Sequence, residues 1–183
     1  MANDNKITRA WTTVLSAVLA VGGLTLAAIY FSASFRFKHE ELIGQLAPDI
    51  AYEIPGKGKS SIEKQKGITV LVNFWASWCT PCMEEMPSLQ MLEQHFAKRN
   101  FVLLAFNLHE SPEEIRGVIQ NNKLPKNLIF NFSKAALRPY NVQGIPLSVL
   151  INSQGIIQAV YAGPRDWMTI ASIKEIESAL PPE

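Results

Sequence analysis

Thr69-Val70-Leu71-Val72-Asn73-Phe74-Trp75-Ala76-Ser77-Trp78-Cys79-Thr80-Pro81-Cys82 runs from an almost unbroken apolar stretch directly into a pair of cysteines. The first seven residues, rich in β-formers, read as a strand buried on both faces. Beyond the cysteines, Met86, Leu89, Leu92 and Phe96 recur near helical period and predict a helix over residues 83–98. Phe101-Val102-Leu103-Leu104-Ala105-Phe106 then repeats the strand signature. Strand, helix, strand is a βαβ unit, whose two strands run parallel. The cysteines therefore fall at a strand-to-helix junction. A thiol at that place lies among unpaired backbone N–H groups at the positive end of the helix dipole, and both stabilise a thiolate. Two intervening residues bring Cys82 round one turn, close enough to form or resolve a disulfide with Cys79. Pro81 is tolerated in the first helical turn.

Working outward, Pro55-Gly56-Lys57-Gly58-Lys59-Ser60 is a turn-rich stretch between residues 50–54 and 61–66, which read as a small hairpin or a strand and a turn. Ser111-Pro112-Glu113-Glu114 opens a helix, with Ser111 as N-cap and Glu114 completing a capping box. Residues 128–132 are a short strand candidate. Leu147-Ser148-Val149-Leu150-Ile151 and Ile156-Ile157-Gln158-Ala159-Val160-Tyr161 flank Asn152-Ser153-Gln154-Gly155, the pattern of an antiparallel hairpin. Asp166 can cap a last helix over residues 167–180, which Pro181-Pro182 ends. The sum is an α/β fold, a mixed sheet with helices on both faces.

Composition narrows the chemistry. With 183 residues, 48% hydrophobic and 18% charged, the chain is neither a disordered tail nor a charged coiled coil. Net charge is +1, from 17 basic and 16 acidic residues, which leaves no basic surplus for a nucleic-acid backbone. Two cysteines are too few for a disulfide-stapled scaffold. A zinc site would need two further ligands, and His39, His95 and His109 do not stand at ligand spacing, so no metal is expected. A purely structural disulfide closing so small a loop stabilises little. Redox exchange is the chemistry that remains.

Residues 10–35 are 26 consecutive residues without a charge. A spanning helix needs about 20, and Trp11 and Tyr30 stand near the two ends, where interfacial aromatics belong. The run exceeds the length of a signal-peptide core, which favours an uncleaved transmembrane anchor, although Ser32-Ala33-Ser34 would serve as a cleavage site. Lys6 and Arg9 before the run balance Arg36 and Lys38 after it, so charge barely orients it. The expected organisation is a tail over residues 1–9, an anchor over 10–35, a juxtamembrane connector over 36–45 and a folded domain over 46–183. A lone Cys-x-x-Cys on an anchored domain makes sense where disulfides persist, outside the cytoplasm.

The segment from Phe74 to Cys82 resembles the active-site segment of the thioredoxin superfamily. Pro87, five residues beyond Cys82, matches the proline that bends the active-site helix, and Gly144-Ile145-Pro146 matches the cis-proline loop. Ala47-Pro48-Asp49, Val72-Asn73-Phe74-Trp75, Glu84-Glu85-Met86-Pro87 and Asn152-Ser153-Gln154-Gly155 make the chain similar, over about residues 45–180, to the TlpA/ResA/CcmG (DsbE) group of membrane-anchored thiol–disulfide oxidoreductases. The resemblance implies a thioredoxin-like fold, with Cys79 exposed as the attacking thiol and Cys82 buried as the resolving one. It implies no cofactor, protein thiols and disulfides as substrates, and a cis Pro146 that presents the backbone of Ile145 to a substrate strand. It also implies a reducing role sustained by a membrane electron donor of the DsbD/CcdA type, with apocytochrome c as substrate. The place it implies is the bacterial inner membrane, the domain facing the periplasm or cell exterior.

Glu85 occupies the position of a candidate acid/base in ResA-like proteins, and its i,i+3 spacing independently puts it on the face of Cys82. Trp78 is expected to present a partner surface, and Trp75 either that or core packing. Two departures stand out: Asn73 replaces the buried Asp of cytoplasmic thioredoxins, and Leu147 follows the proline where many relatives carry Thr. The rival functions are a disulfide-forming oxidant and a thioredoxin-like module holding Cu(I) between the two thiolates for copper-site assembly.

Overall fold

The computed structural model describes residues 16, 18–27, 39–54, 58–122, 124–132 and 134–182. In chain order its elements are β1 (Ala51–Ile54), β2 (Gly58–Ser61), β3 (Thr69–Trp75), α1 (Thr80–His95), β4 (Phe101–Asn107), α2 (Arg116–Asn121), β5 (Leu128–Ile129), β6 (Asn131–Phe132), β7 (Leu147–Ile151), β8 (Ile157–Ala162) and α3 (Ile170–Ala179). Short 3-10 helices occupy Glu63–Gln65 and Lys134–Tyr140.

β3 is buried at every position, which is why its sequence does not alternate. It lies at the centre of a five-stranded sheet of order β5-β4-β3-β7-β8. β4 pairs with it in parallel, Thr69 opposite Phe101 and Trp75 opposite Asn107, and β5 extends the parallel set. β7 and β8 form the expected hairpin, antiparallel to β3 and to each other. The sheet is thus mixed.

The strand period of two splits the core. Leu71, Trp75, Leu103 and Ala105 face a layer containing Met86, Leu89 and Leu92 of α1, Ile115 ahead of α2, and Ile176 and Ala179 of α3. Val70, Val72, Phe74, Leu104 and Phe106 face the other way, toward Ile50, Tyr52, Ile62 and Tyr140. α1, α2 and α3 therefore cover one face. Two successive right-handed crossovers in the same direction along the sheet require this of α1 and α2. The expectation of helices on both faces is met on the second face only by a 3-10 helix. The second face is covered by a three-stranded sheet of order β2-β1-β6 and by the 3-10 helix Lys134–Tyr140. Aromatic rings bind that cover: Tyr52 and Phe132 meet Phe106 edge-on at 5.6 and 5.1 Å, and Tyr140 meets Phe74 at 5.7 Å.

Other differences from the sequence-based expectation are local. The strand candidate over 128–132 divides at Phe130: Leu128–Ile129 joins β4, while Asn131–Phe132 crosses to β1. The capping box forms, with Ser111 N–H donating to Glu114 Oε2 at 2.6 Å and Glu114 N–H to Ser111 Oγ at 3.3 Å, yet regular helix starts only at Arg116. The cap of the last helix is Thr169, whose Oγ1 accepts from Ser172 N–H at 3.2 Å. Asp166 serves the preceding turn, accepting from Met168 N–H at 2.8 Å.

The chain divides into two units, residues 1–38 and 39–183. Within the second, residues 44–46 pair with the start of β8 through Gly44 N–H to Ile157 O, Ile157 N–H to Gln45 O and a bridge between Leu46 and Ile156. Of the expected anchor, Ser16 and residues 18–27 are helical, and the remainder lies outside the described residues. Among the described residues no helix is long and apolar enough to cross a membrane.

The sheet is tied to its last helix by a buried hydrogen bond from Thr69 Oγ1 to the carbonyl of Ala179, 2.6 Å long. Thr69→Val keeps the shape and strands that carbonyl without a donor. The expected cost is about 1–3 kcal/mol, read as a lower urea midpoint with an unchanged m-value; an unmoved midpoint removes the bond from the account of stability.

Candidate active site

β3 ends at Trp75, and after three intervening residues the chain reaches Cys79, the N-cap of α1. Its backbone is extended (φ −86°, ψ 98°), as an N-cap requires, and its Sγ accepts the N–H of Cys82 at 3.3 Å. Pro81 lies within the first turn, where no intrahelical bond is lost. The two sulfurs are joined in a disulfide with a Cα–Cα distance of 5.3 Å. Cys82 is fully buried and Cys79 retains 6% exposure. The expectation of an exposed Cys79 is corrected: both cysteines are buried in the disulfide form, Cys79 slightly less so than Cys82. Its cover includes the loop before β7: Cys79 Sγ lies 3.7 Å from the carbonyl oxygen of Ile145, and the Ile145–Pro146 peptide bond is cis. Trp78, at the rim, is 65% exposed, whereas Trp75 is fully buried in the core. The cysteines, Trp78, Ile145 and Pro146 therefore meet at one end of the sheet.

Glu85 faces inward from the second turn of α1 and is only 3% exposed. Its carboxylate accepts from Asn73 Nδ2 at 2.8 Å, from the Arg165 N–H at 3.2 Å and from Trp167 Nε1 at 3.4 Å. Asn73 also donates to Ser148 Oγ at 2.9 Å, linking β3, β7 and α1. The Arg165 guanidinium lies over the rings of Tyr161 and Trp167, at 4.2 and 4.9 Å, and pairs with Glu175 at 3.1 Å. Burial pushes the Glu85 carboxyl above its ordinary range, opposed in turn by the hydrogen bonds from Asn73, Arg165 and Trp167 and by the guanidinium charge. An open pocket of about 360 Å³ beside it is lined by Glu84, Glu85, Ser88, Pro164, Arg165 and Asp166.

A second carboxylate escaped sequence reasoning. Glu110 accepts from Ser77 N–H at 2.7 Å, from the Ser77 hydroxyl, and from Asn107 Nδ2 at 2.9 Å. The signal available was position: an acidic residue just past the carboxyl end of the parallel strand beside the cysteine-bearing one. His95 packs edge-on against Phe96 at 4.8 Å, and His39 Nε2 lies 3.2 Å from the carbonyl of Asn141. Among the described residues no group of three or more His, Cys, Asp or Glu is arranged to hold a metal ion.

The raised titration of Glu85 has a thermodynamic consequence. A carboxyl that holds its proton more tightly when folded contributes stability that is complete below the unfolded value, about 4.3. That contribution is lost as pH rises through the folded value. For the oxidised protein, in which neither cysteine titrates, the melting temperature of the wild type relative to Glu85→Gln is expected to fall as pH rises above about 4. A difference independent of pH refutes the raised titration.

Comparison with known proteins agrees with this geometry. The family model described as AhpC/TSA family matches residues 43–160. The chain is 32% identical over 123 residues to the thioredoxin-like protein YneN of Bacillus subtilis, covering 66% of this chain and 71% of that protein. It is 28% identical over 172 residues to the thiol–disulfide oxidoreductase ResA of Geobacillus thermodenitrificans, covering 93% and 94% of the two chains. Among solved structures, a thiol:disulfide interchange protein DsbE from Chlorobium tepidum superposes with a TM-score of 0.67 at 27% identity, over 76% of this chain and 98% of that one. With a cysteine pair capping a helix beside a cis-proline, on a thioredoxin-like sheet, the chain belongs to the AhpC/TSA thioredoxin-like family as a thiol–disulfide oxidoreductase of the ResA and DsbE type.

Proposed function

We propose that this protein is a membrane-tethered, extracytoplasmic reductant of protein disulfides, with Cys79 as nucleophile and Cys82 as resolving thiol. The observation that carries the proposal is the position of Cys79 Sγ, which caps α1 by accepting the Cys82 N–H and faces the carbonyl of Ile145. In the dithiol form the cap and the helix dipole favour a thiolate at Cys79. That thiolate attacks one sulfur of a substrate disulfide. The substrate S–S bond breaks, its electron pair leaves on the second substrate sulfur, and that sulfur takes a proton from solvent. Cys82, on the inner face of α1 with Glu85, passes its proton to the Glu85 carboxylate and attacks Cys79 Sγ. The mixed disulfide breaks, the remaining substrate thiolate is protonated, and two electrons have moved to the substrate. The protein is left with the Cys79–Cys82 disulfide.

Exposed Trp78 and the backbone of Ile145 beside Pro146 frame the approach of a substrate strand, which adds to the loop by main-chain hydrogen bonds. The uncharged run over residues 10–35 supports the tether, and the helical stretch 18–27 exposes Val18, Leu19, Val21, Leu24 and Leu26. The resemblance to the ResA and DsbE group supports re-reduction by a DsbD/CcdA-type donor and, as substrate, apocytochrome c with its haem-attachment cysteines oxidised to a disulfide.

Titration of the full chain in detergent against a dithiol buffer is expected to give a potential near the thioredoxin range, about −270 mV; a value near −120 mV makes the protein an oxidant instead. Cys82→Ala should accumulate a mixed disulfide with a model peptide disulfide, and Cys79→Ala should form none. Trapping by the second variant and not the first reverses the two roles. A reporter fused after Glu183 should be active only outside the cytoplasm; activity inside overturns the location.

A further inference from the structure

We infer that Glu110 is a positioning residue for Cys79, holding the turn that delivers the thiol to the end of α1. The inference rests on the assignment of Cys79 as the attacking thiol.

The junction between β3 and α1 is three residues long, Ala76-Ser77-Trp78, and its middle residue is held from outside. Ser77 gives both of its donors, backbone N–H and hydroxyl, to the two oxygens of one carboxylate. The same carboxylate is gripped from the other side by Asn107 Nδ2 at 2.9 Å. Asn107 is the last residue of β4, opposite Trp75, the last residue of β3. The next residue, Leu108, donates its N–H to the Trp75 carbonyl at 2.8 Å. Glu110 thus links the turn to the neighbouring strand at the point where β3 stops being paired.

The backbone supplies an independent observation. His109, between Leu108 and Glu110, takes a left-handed conformation with φ 71°. A non-glycine residue keeps that conformation when its surroundings over-determine it, and such positions concentrate at functional sites. Here the reversal sends the chain back toward Asn107 and Ser77 and brings Glu110 onto both. His109 itself is exposed and Glu110 half-buried.

A carboxylate suits the task because it accepts from both Ser77 donors and need donate nothing. An amide of the same shape also suits it. With its oxygen at the Oε2 position it accepts from Ser77 N–H and Asn107, and its NH2 donates to the Ser77 hydroxyl, which accepts as readily as it donates. Glu110→Gln therefore removes the charge and keeps the clamp, whereas Glu110→Ala removes both. The two effects have opposite signs at Cys79. Loss of a nearby negative charge favours the thiolate and lowers the pH midpoint of alkylation. Loss of the clamp loosens the cap that stabilises the thiolate and raises the midpoint.

The test uses the reduced full chain in detergent, in the Cys82→Ala background so that Cys79 is the one thiol. Alkylation by iodoacetamide is followed against pH, and mixed-disulfide formation with a model peptide disulfide is followed in parallel. Glu110→Ala is expected to raise the alkylation midpoint and slow exchange by about 10- to 100-fold. Glu110→Gln is expected to stay within about threefold of the parent, with a midpoint unchanged or lower. Superimposable profiles for Glu110→Ala and the parent overturn the inference. So do midpoints lowered equally in both variants, which would make Glu110 a charge and not a clamp. If Glu110→Ala fails to fold, Ser77→Ala, which removes the hydroxyl and leaves the backbone donor, should give a smaller slowing with a raised midpoint; no change there is equally fatal. A parent that alkylates normally but does not exchange overturns the proposed function, while the alkylation profiles still decide the role of Glu110.

Discussion

One sulfur atom has to satisfy two demands at once. Cys79 Sγ accepts the backbone N–H of Cys82 as the cap of α1, and it is also bonded to Cys82. The chain must therefore leave β3 extended, turn within three residues and enter the helix with that sulfur already in place. A helix start is the one position where unsatisfied N–H groups and the dipole act together on a thiolate. The surrounding structure holds this junction from several sides. β3 is fixed by burial at seven consecutive positions, Leu108 just past β4 donates to the Trp75 carbonyl, and the Ile145 carbonyl approaches the sulfur from the loop before β7.

Two carboxylates flank that junction in different environments. Glu85 lies inside, among amide, indole and backbone donors, and burial nevertheless dominates and raises its titration. Glu110 lies half-exposed on a loop and spends its oxygens on a turn. The neutral amide at position 73 fits this division. Asn73 Nδ2 donates to Glu85 at 2.8 Å; a carboxylate at 73 would place a second acid at that distance, and two such groups cannot both ionise in a buried site. Asn73 is thus the partner that lets the buried acid reside on α1.

The covering of the sheet follows from connection geometry as much as from composition. α1 and α2 belong to successive parallel crossovers in one direction, so both fall on one face, and α3 joins them. The other face has no crossover helix to bury Phe74 and Phe106. Tyr52, Phe132 and Tyr140 perform that task from a small sheet and a 3-10 helix. The site lies at the sheet end where β3 and β4 terminate, which is where loops from both layers converge.

Much of this is written in local sequence. The buried run at Thr69–Trp75, the 3.6-residue recurrence through Leu92 and the hairpin around Asn152-Ser153-Gln154-Gly155 each specify an element through its own period or turn chemistry. The spacing of Cys79 and Cys82 states the chemistry, because reactivity at a helix start depends on residues only three apart. The division of residues 128–132 between two sheets was not legible, since five apolar-rich residues carry no mark of which edge they will meet. Nor was the role of Glu110, which lies 33 residues beyond Ser77 and reaches it only because β4 pairs with β3 in one register and His109 reverses the chain. The sequence by itself determined the elements and the reactive pair, which arise from short-range periodicity and the properties of single side chains. The tertiary structure alone decided which face each element covers, how deeply Cys79 is enclosed and which carboxylate serves which task, because burial and long-range hydrogen bonds exist only once distant segments have met.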